Sequence, residues 1–218
     1  MQQLTQLHKQ FDELQLKHGA GRLNPIYGAG KINAPKLMFI FMNPTARNIA
    51  SSPDWTGLRA PWLGTKQIWS LFFELELLAP EIFSTIQTLM PQGWTVGFSE
   101  EVYQDLEAKS VYVTNLAKCT QADARPLNDR VFKDYLALMY AEIELVKPSK
   151  IITFGNQVSS ILLNKTVSVS KYVDTERELI KLQNSYEVYP VYYPVGQGRR
   201  NQPLAVARIK KISKEMYN

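Results

Sequence analysis

The run Lys36-Leu37-Met38-Phe39-Ile40-Phe41-Met42 is almost continuously apolar and stops abruptly at Asn43-Pro44. A short run of this kind, without polar alternation, marks a strand buried on both faces. Two further runs have the same character: Ser110-Val111-Tyr112-Val113-Thr114, ended by Asn115, and Lys150-Ile151-Ile152-Thr153-Phe154, ended by Gly155. A fourth, Glu187 to Tyr192, ends at Tyr193-Pro194. Stretches of helical periodicity lie between them. Strand and helix in alternation predict a mostly parallel sheet with helices on both faces. The expected architecture is α/β: a three-layer α/β/α sandwich around a central, mainly parallel sheet of about four strands.

The helices are read from spacing and from their stops. Leu4, Leu7, Phe11 and Leu14 share one helical face, Thr65 to Leu78 forms a second helix, and Val131 to Val146 a third that ends before Pro148. A helix follows Gly155 through Leu163, and Pro203 opens the last one. Asn24 to Pro35 reads as irregular or hairpin-like, and Pro91-Gln92-Gly93 breaks the stretch from Pro80 to Lys109. The long polar segment from Ala46 to Leu63 is unusual after a buried strand and marks a functional loop. With 218 residues and no repeat, a single domain over 1–218 is expected.

Several function classes fall away on residue counts. Cys119 is the only cysteine, so there is no internal disulfide and no four-cysteine metal site. His8 and His18 both lie at the N-terminus, which leaves little for a histidine-based triad or metal centre. No apolar run approaches the ~20 residues of a membrane span. The first residues, Met-Gln-Gln-Leu-Thr-Gln-Leu-His, lack the basic region and apolar stretch of a secretory signal, so a cytoplasmic setting without membrane association is expected. The charge is more telling. Of a net +5, all is contributed by the segment from Gln197 onward, which holds six bases against Glu215. A localised positive field suits a polyanion such as nucleic acid, or else a solvated helix face.

Ligands of parallel sheets bind beyond the carboxyl ends of the strands. Asn43 and Asn115 close two of the four ends. An amide offers a donor and an acceptor in one plane, fit for reading a base edge or holding a water. Taken alone, each asparagine reads first as an Asx-turn or helix cap. Trp55 and Trp62 share the long loop with Arg47 and Arg59, where stacking on bases is open to them. Trp69, inside a helix, reads as core. Gly28-Ala29-Gly30-Lys31 hints at a phosphate loop but precedes a strand instead of following one.

Taken in order, these segments resemble the uracil-DNA glycosylase superfamily. The resemblance is carried by Ile26-Tyr27-Gly28-Ala29-Gly30, by Leu37 through Asn43-Pro44, and by Pro61-Trp62-Leu63-Gly64. It continues in Thr114-Asn115-Leu116-Ala117-Lys118-Cys119 with Arg125-Pro126, in Ile151-Ile152-Thr153-Phe154-Gly155, and in Tyr193-Pro194-Val195. The first motif is similar to that of the mismatch-specific and single-strand-selective branches, the second to the iron–sulfur branch.

The resemblance implies roles. Asn43 would position the attacking water, Asn115 would read the base edge, and Trp62 would stack on the flipped base. Tyr193 stands where the family's histidine donates to the base oxygen, and Val195 where a serine would contact phosphate. Arg199 and Arg200, on a loop made pliable by Gly196 and Gly198, would approach the minor groove, with Val195 as an apolar wedge. Arg208 and Lys211 would face phosphates from the next helix. The implied activity is a monomeric, cofactor-free DNA glycosylase that acts on uracil or a related deaminated base. The alternative is a non-catalytic nucleic-acid-binding protein that keeps the fold. Because Cys119 stands alone, purified protein is expected to be colourless. Elemental analysis that finds about four iron atoms per chain, as such clusters carry, would overturn this.

Overall fold

In the computed structural model, residues 2–125 and 127–214 are described; Pro126, part of the Arg125-Pro126 motif, lies outside them. The chain opens with α1 (Gln2–His18), β1 (Ala29–Gly30) and β2 (Leu37–Phe41). Three helices follow, α2 (Gln67–Glu74), α3 (Pro80–Thr88) and α4 (Val96–Ala108), and lead into β3 (Val111–Asn115). Then come α5 (Asp129–Val146), β4 (Lys150–Phe154) and α6 (Asn156–Leu162). The chain closes with β5 (Glu178–Lys181), β6 (Ser185–Val191) and α7 (Gln202–Lys214).

The sheet has six strands in the order β1-β3-β2-β4-β6-β5. The four expected strands form its parallel centre, β3-β2-β4-β6. The two additional strands are antiparallel edges, β1 on β3 and β5 on β6. Both escape sequence reading for physical reasons. β1 is two residues long and contains Gly30, while β5, Glu-Leu-Ile-Lys, has only Ile180 buried. A two-residue ladder and a half-exposed edge strand carry almost no apolar pattern. The Gly28–Lys31 stretch is therefore a sheet edge and its flank, not a phosphate loop.

Alternation sorts the strands' side chains into two cores. Leu37, Phe39 and Phe41 face a core shared with α2, α3, α4 and α7. Met38 and Ile40 face another, shared with α1, α5 and α6. Three layers result, as the apolar runs imply. The stretch from Pro80 to Lys109 resolves into α3 and α4 around the break at Pro91–Gly93. Pro80 occupies the first turn of α3, and the Thr95 hydroxyl caps α4 by accepting from the Phe98 amide at 3.1 Å. The Asn128 side chain caps α5 by accepting from the Arg130 amide at 2.9 Å. Lys147, in the left-handed region just before Pro148, ends that helix. No helix among the described residues is long and apolar enough to cross a membrane.

Phe39 sits at the middle of this arrangement. It is fully buried, with Phe72 edge-on at 5.5 Å and Phe154 at 5.8 Å. Phe39→Ala is expected to cost about 3–5 kcal/mol, the usual loss for a buried aromatic. A urea titration checks this, and a midpoint unchanged from the parent would contradict the packing described.

Candidate active site

In-register pairing brings the four expected strand ends to one edge of the sheet. Phe41 of β2 lies opposite Asn115 of β3, so the two side chains share a face. Beyond the pair the chains stay stitched together. The Leu116 amide donates to the Phe41 carbonyl at 2.8 Å, and the Ala117 amide to the Met42 carbonyl at 3.0 Å. Asn43, two residues past Phe41, is thus held beside the end of β3. On the other side of β2, the Gly155 amide at the end of β4 donates to the Val191 carbonyl of β6 at 2.8 Å. A Cβ placed on Gly155 would lie 3.5 Å from the Tyr193 Cβ. Asn115, Asn43, Gly155 and Tyr193 therefore follow one another along a single edge.

The two asparagines are presented differently. Asn43 is half-buried, and its Nδ2 donates to the Pro44 carbonyl at 3.1 Å. Its donor end is engaged locally, which leaves Oδ1 as the end that can accept from a water. Asn115 is 1% exposed, and its Nδ2 is buried with no hydrogen-bond partner among the described residues. A buried amide donor without an acceptor costs about 1–3 kcal/mol. Such a cost at a strand end is the kind retained at a binding site.

The ring system beside them is ordered. Phe41 stacks on Phe154 with centroids 4.3 Å apart, and Trp62 meets Phe41 edge-on at 5.1 Å. Trp62 is held in the left-handed backbone region, φ 68°, which is strained for a bulky side chain. The loop that imposes this is far from flexible. Buried Asn48 donates to the Ala60 carbonyl at 2.8 Å and accepts from the Ala50 amide at 3.0 Å. The Tyr103 hydroxyl donates to the Pro61 carbonyl at 2.7 Å, and the Thr65 hydroxyl to the Trp62 carbonyl at 2.6 Å. Trp55 donates to the Leu58 carbonyl at 3.0 Å, and Trp69 is core, as its helical position implies.

Tyr193 is largely enclosed, and burial pushes its phenol up to about 12. It is therefore a neutral donor throughout the physiological range. The turn after it is tight. A Cβ on Gly198 would lie 2.1 Å from the Tyr193 carbonyl oxygen, so no side chain fits there. Arg199 and Arg200 stand exposed on the short helical turn Gly196–Asn201, with no ion pair among the described residues.

Two expectations require correction. Val195 is 5% exposed and packs into the core below, so it is not presented as a wedge. Arg208 is 7% exposed; it donates to the Glu176 carbonyl at 2.8 Å and lies over the Tyr172 ring at 5.6 Å. It faces inward because α7 packs its Ala205, Ile209 and Ile212 on the same side. Lys211 is exposed, in an ion pair with Asp174.

Sequence reading passed over Phe41 and Phe154 as site rings, Asn48 as the loop anchor, and Lys118. Lys118, charged and set in an otherwise apolar segment, was the one signal available. It is fully buried against Glu142. Cys119 beside it is also buried, and desolvation raises its thiol above the ordinary range.

A mainly parallel sheet covered on both faces, with amides and rings gathered at its carboxyl edge, is the layout of an open α/β domain, the class in which ligands bind at that edge. The chain belongs to the uracil DNA glycosylase superfamily, whose family model matches residues 27–216. No curated protein matches it in sequence. Arg208→Ala is expected to lower stability by about 1–3 kcal/mol through the lost hydrogen bond and packing. An unchanged urea midpoint would contradict its interior placement.

Proposed function

We propose that this protein is a DNA glycosylase that hydrolyses the N-glycosidic bond of uracil or a related deaminated base. In this reading it works as a cytoplasmic monomer without a cofactor. The observation that carries the reading is the buried, unpartnered Nδ2 of Asn115 on the same sheet edge as Asn43 and Tyr193, in a chain of this superfamily. A keto base turned out of the stack would supply the missing acceptor, and the hydrogen bond would offset part of the unstacking cost. An amino base offers Asn115 a donor instead, and donor facing donor is rejected.

The reaction follows from the same groups. A water accepted by Asn43 Oδ1 attacks the sugar carbon as the bond from that carbon to the base nitrogen breaks. The bonding electrons leave with the base. The Tyr193 hydroxyl, neutral and preorganised, donates a hydrogen bond to the base oxygen as negative charge builds there. The water's proton completes the free base or passes to solvent. Trp62 offers a ring for stacking. An amide is a weak base, so turnover is expected to be slow. Arg199 and Arg200 engage phosphates at the groove, with Lys211 a further contact if it exchanges Asp174 for phosphate.

Oligonucleotides that contain uracil, hypoxanthine or xanthine, single- and double-stranded, test this directly. Base release is expected from at least one. Asn43→Ala should slow single-turnover release by about 100-fold with DNA affinity kept. Asn115→Asp should abolish the preference for keto bases. Because the Tyr193 phenol is raised, its contribution is full below its pKa and persists through mildly alkaline pH. Arg199→Ala/Arg200→Ala should flatten the salt dependence of binding by up to about two units, and Arg208→Ala should not change it. DNA binding without release of any of the three bases would favour the non-catalytic reading instead.

A further inference from the structure

Lys118 has no part in the chemistry above, yet it is among the most enclosed charges in the protein. It and Glu142 are 0% and 1% exposed and 2.6 Å apart. They lie on the face of the sheet opposite the rings, beneath α1 and α5, with the Lys118 ammonium over the Phe11 ring at 5.0 Å. Glu142 accepts from the hydroxyls of Tyr112 at 2.8 Å and Thr114 at 2.9 Å. A Cβ on Gly28 would lie 2.0 Å from the Tyr112 hydroxyl and 2.6 Å from Glu142 Oε1, so the bare backbone of Gly28 closes the cluster.

Lys118 Nζ and Glu142 Oε2 form a buried ion pair. The directed bonds of Lys118 Nζ go elsewhere: to Thr114 Oγ1 at 2.6 Å and to the backbone carbonyl of Asn115 at 2.5 Å. Asn115 has no hydrogen bond on its side-chain nitrogen to hold it, so its amide is oriented through its backbone. That backbone is pinned on one side by β2 and at its carbonyl by Lys118.

We propose that Lys118 is a positioning residue: anchored on Glu142, it holds the Asn115 carbonyl and so aims the amide at the base. The inference rests on the base-reading role of Asn115. Removing one charge alone leaves the other buried and unpaired, which costs about 3–5 kcal/mol. The informative variants therefore leave neither charge of the pair alone. Tyr112→Phe loosens the cluster by removing one hydroxyl from Glu142, and it leaves the ion pair and both directed bonds of Lys118 in place. Lys118→Met/Glu142→Gln removes those bonds as well.

Excision by Tyr112→Phe is expected to stay close to the parent rate. The double variant should bind DNA as before but release base about 10–100-fold more slowly, the penalty of a misplaced group. Its discrimination between uracil and cytosine should fall with the rate. The Asn115 side-chain amide resonances should move in the double variant and not in Tyr112→Phe. A double variant with unchanged rate, discrimination and Asn115 resonances would make the pair purely structural and overturn the proposal. If the double variant does not fold, the unmodified protein decides: a through-hydrogen-bond coupling between Lys118 Nζ and the Asn115 carbonyl carbon supports the tether, and its absence overturns it. If the parent releases no base, the glycosylase reading fails by itself, and the Asn115 resonances still decide the tether.

Discussion

The register of β2 against both of its neighbours governs everything else in this molecule. Leu37 lies opposite Val111 on one side and Lys150 on the other, and each later residue keeps step. Three parallel strands of five residues therefore begin and end together. Their carboxyl ends form a straight edge, and a side chain placed one or two residues beyond any of them joins the same row. A slip of one residue would turn Phe41 and Asn115 to the opposite face and exchange the two cores. Burial of both faces makes that slip prohibitive, because every strand residue but Lys150 is buried. The precision of the site is thus a consequence of hydrophobic patterning, not of contacts among the site residues.

That dependence explains what could be read from the sequence. The central strands were legible because residues buried on both faces must be apolar, and their ends because Asn, Gly and Tyr-Pro interrupt the runs. The row of strand ends followed from parallel topology alone. Burial of individual charges was not legible. Arg208 and Lys211 are neighbours in a basic segment, yet one points into the protein and the other out of it. Helical phase separates them, and only the packing of Ala205, Ile209 and Ile212 fixes that phase. Val195 shows the same limit, since an apolar residue in a loop reads alike whether it plugs the core or is held out to a ligand.

The edge strands belong to a different economy. β1 and β5 add little apolar burial, but each covers an exposed row of backbone groups on β3 and β6. β1 has a second effect. It brings Gly28 down onto Tyr112 and Glu142, the cluster that holds Lys118, the only fully buried lysine among the described residues. Desolvation pulls the Lys118 ammonium below its ordinary range, opposed by the charge of Glu142.

The two faces of the sheet divide the labour at its edge. The face beneath α2, α3, α4 and α7 supplies rings, with Phe41, Phe154 and Trp62 in one packed group. The opposite face supplies hydrogen bonds and charge through Tyr112, Thr114, Lys118 and Glu142. Asn115 is where the two meet: its side chain lies with the rings, while its carbonyl is held from the charged side. This separation has a physical advantage. Fixed charges placed among the rings would compete for the amide, whereas charges behind the strand can fix its backbone and leave its donor unspent. The donor stays unpaired, and that cost is offset by a sheet whose burial on both faces is large by comparison.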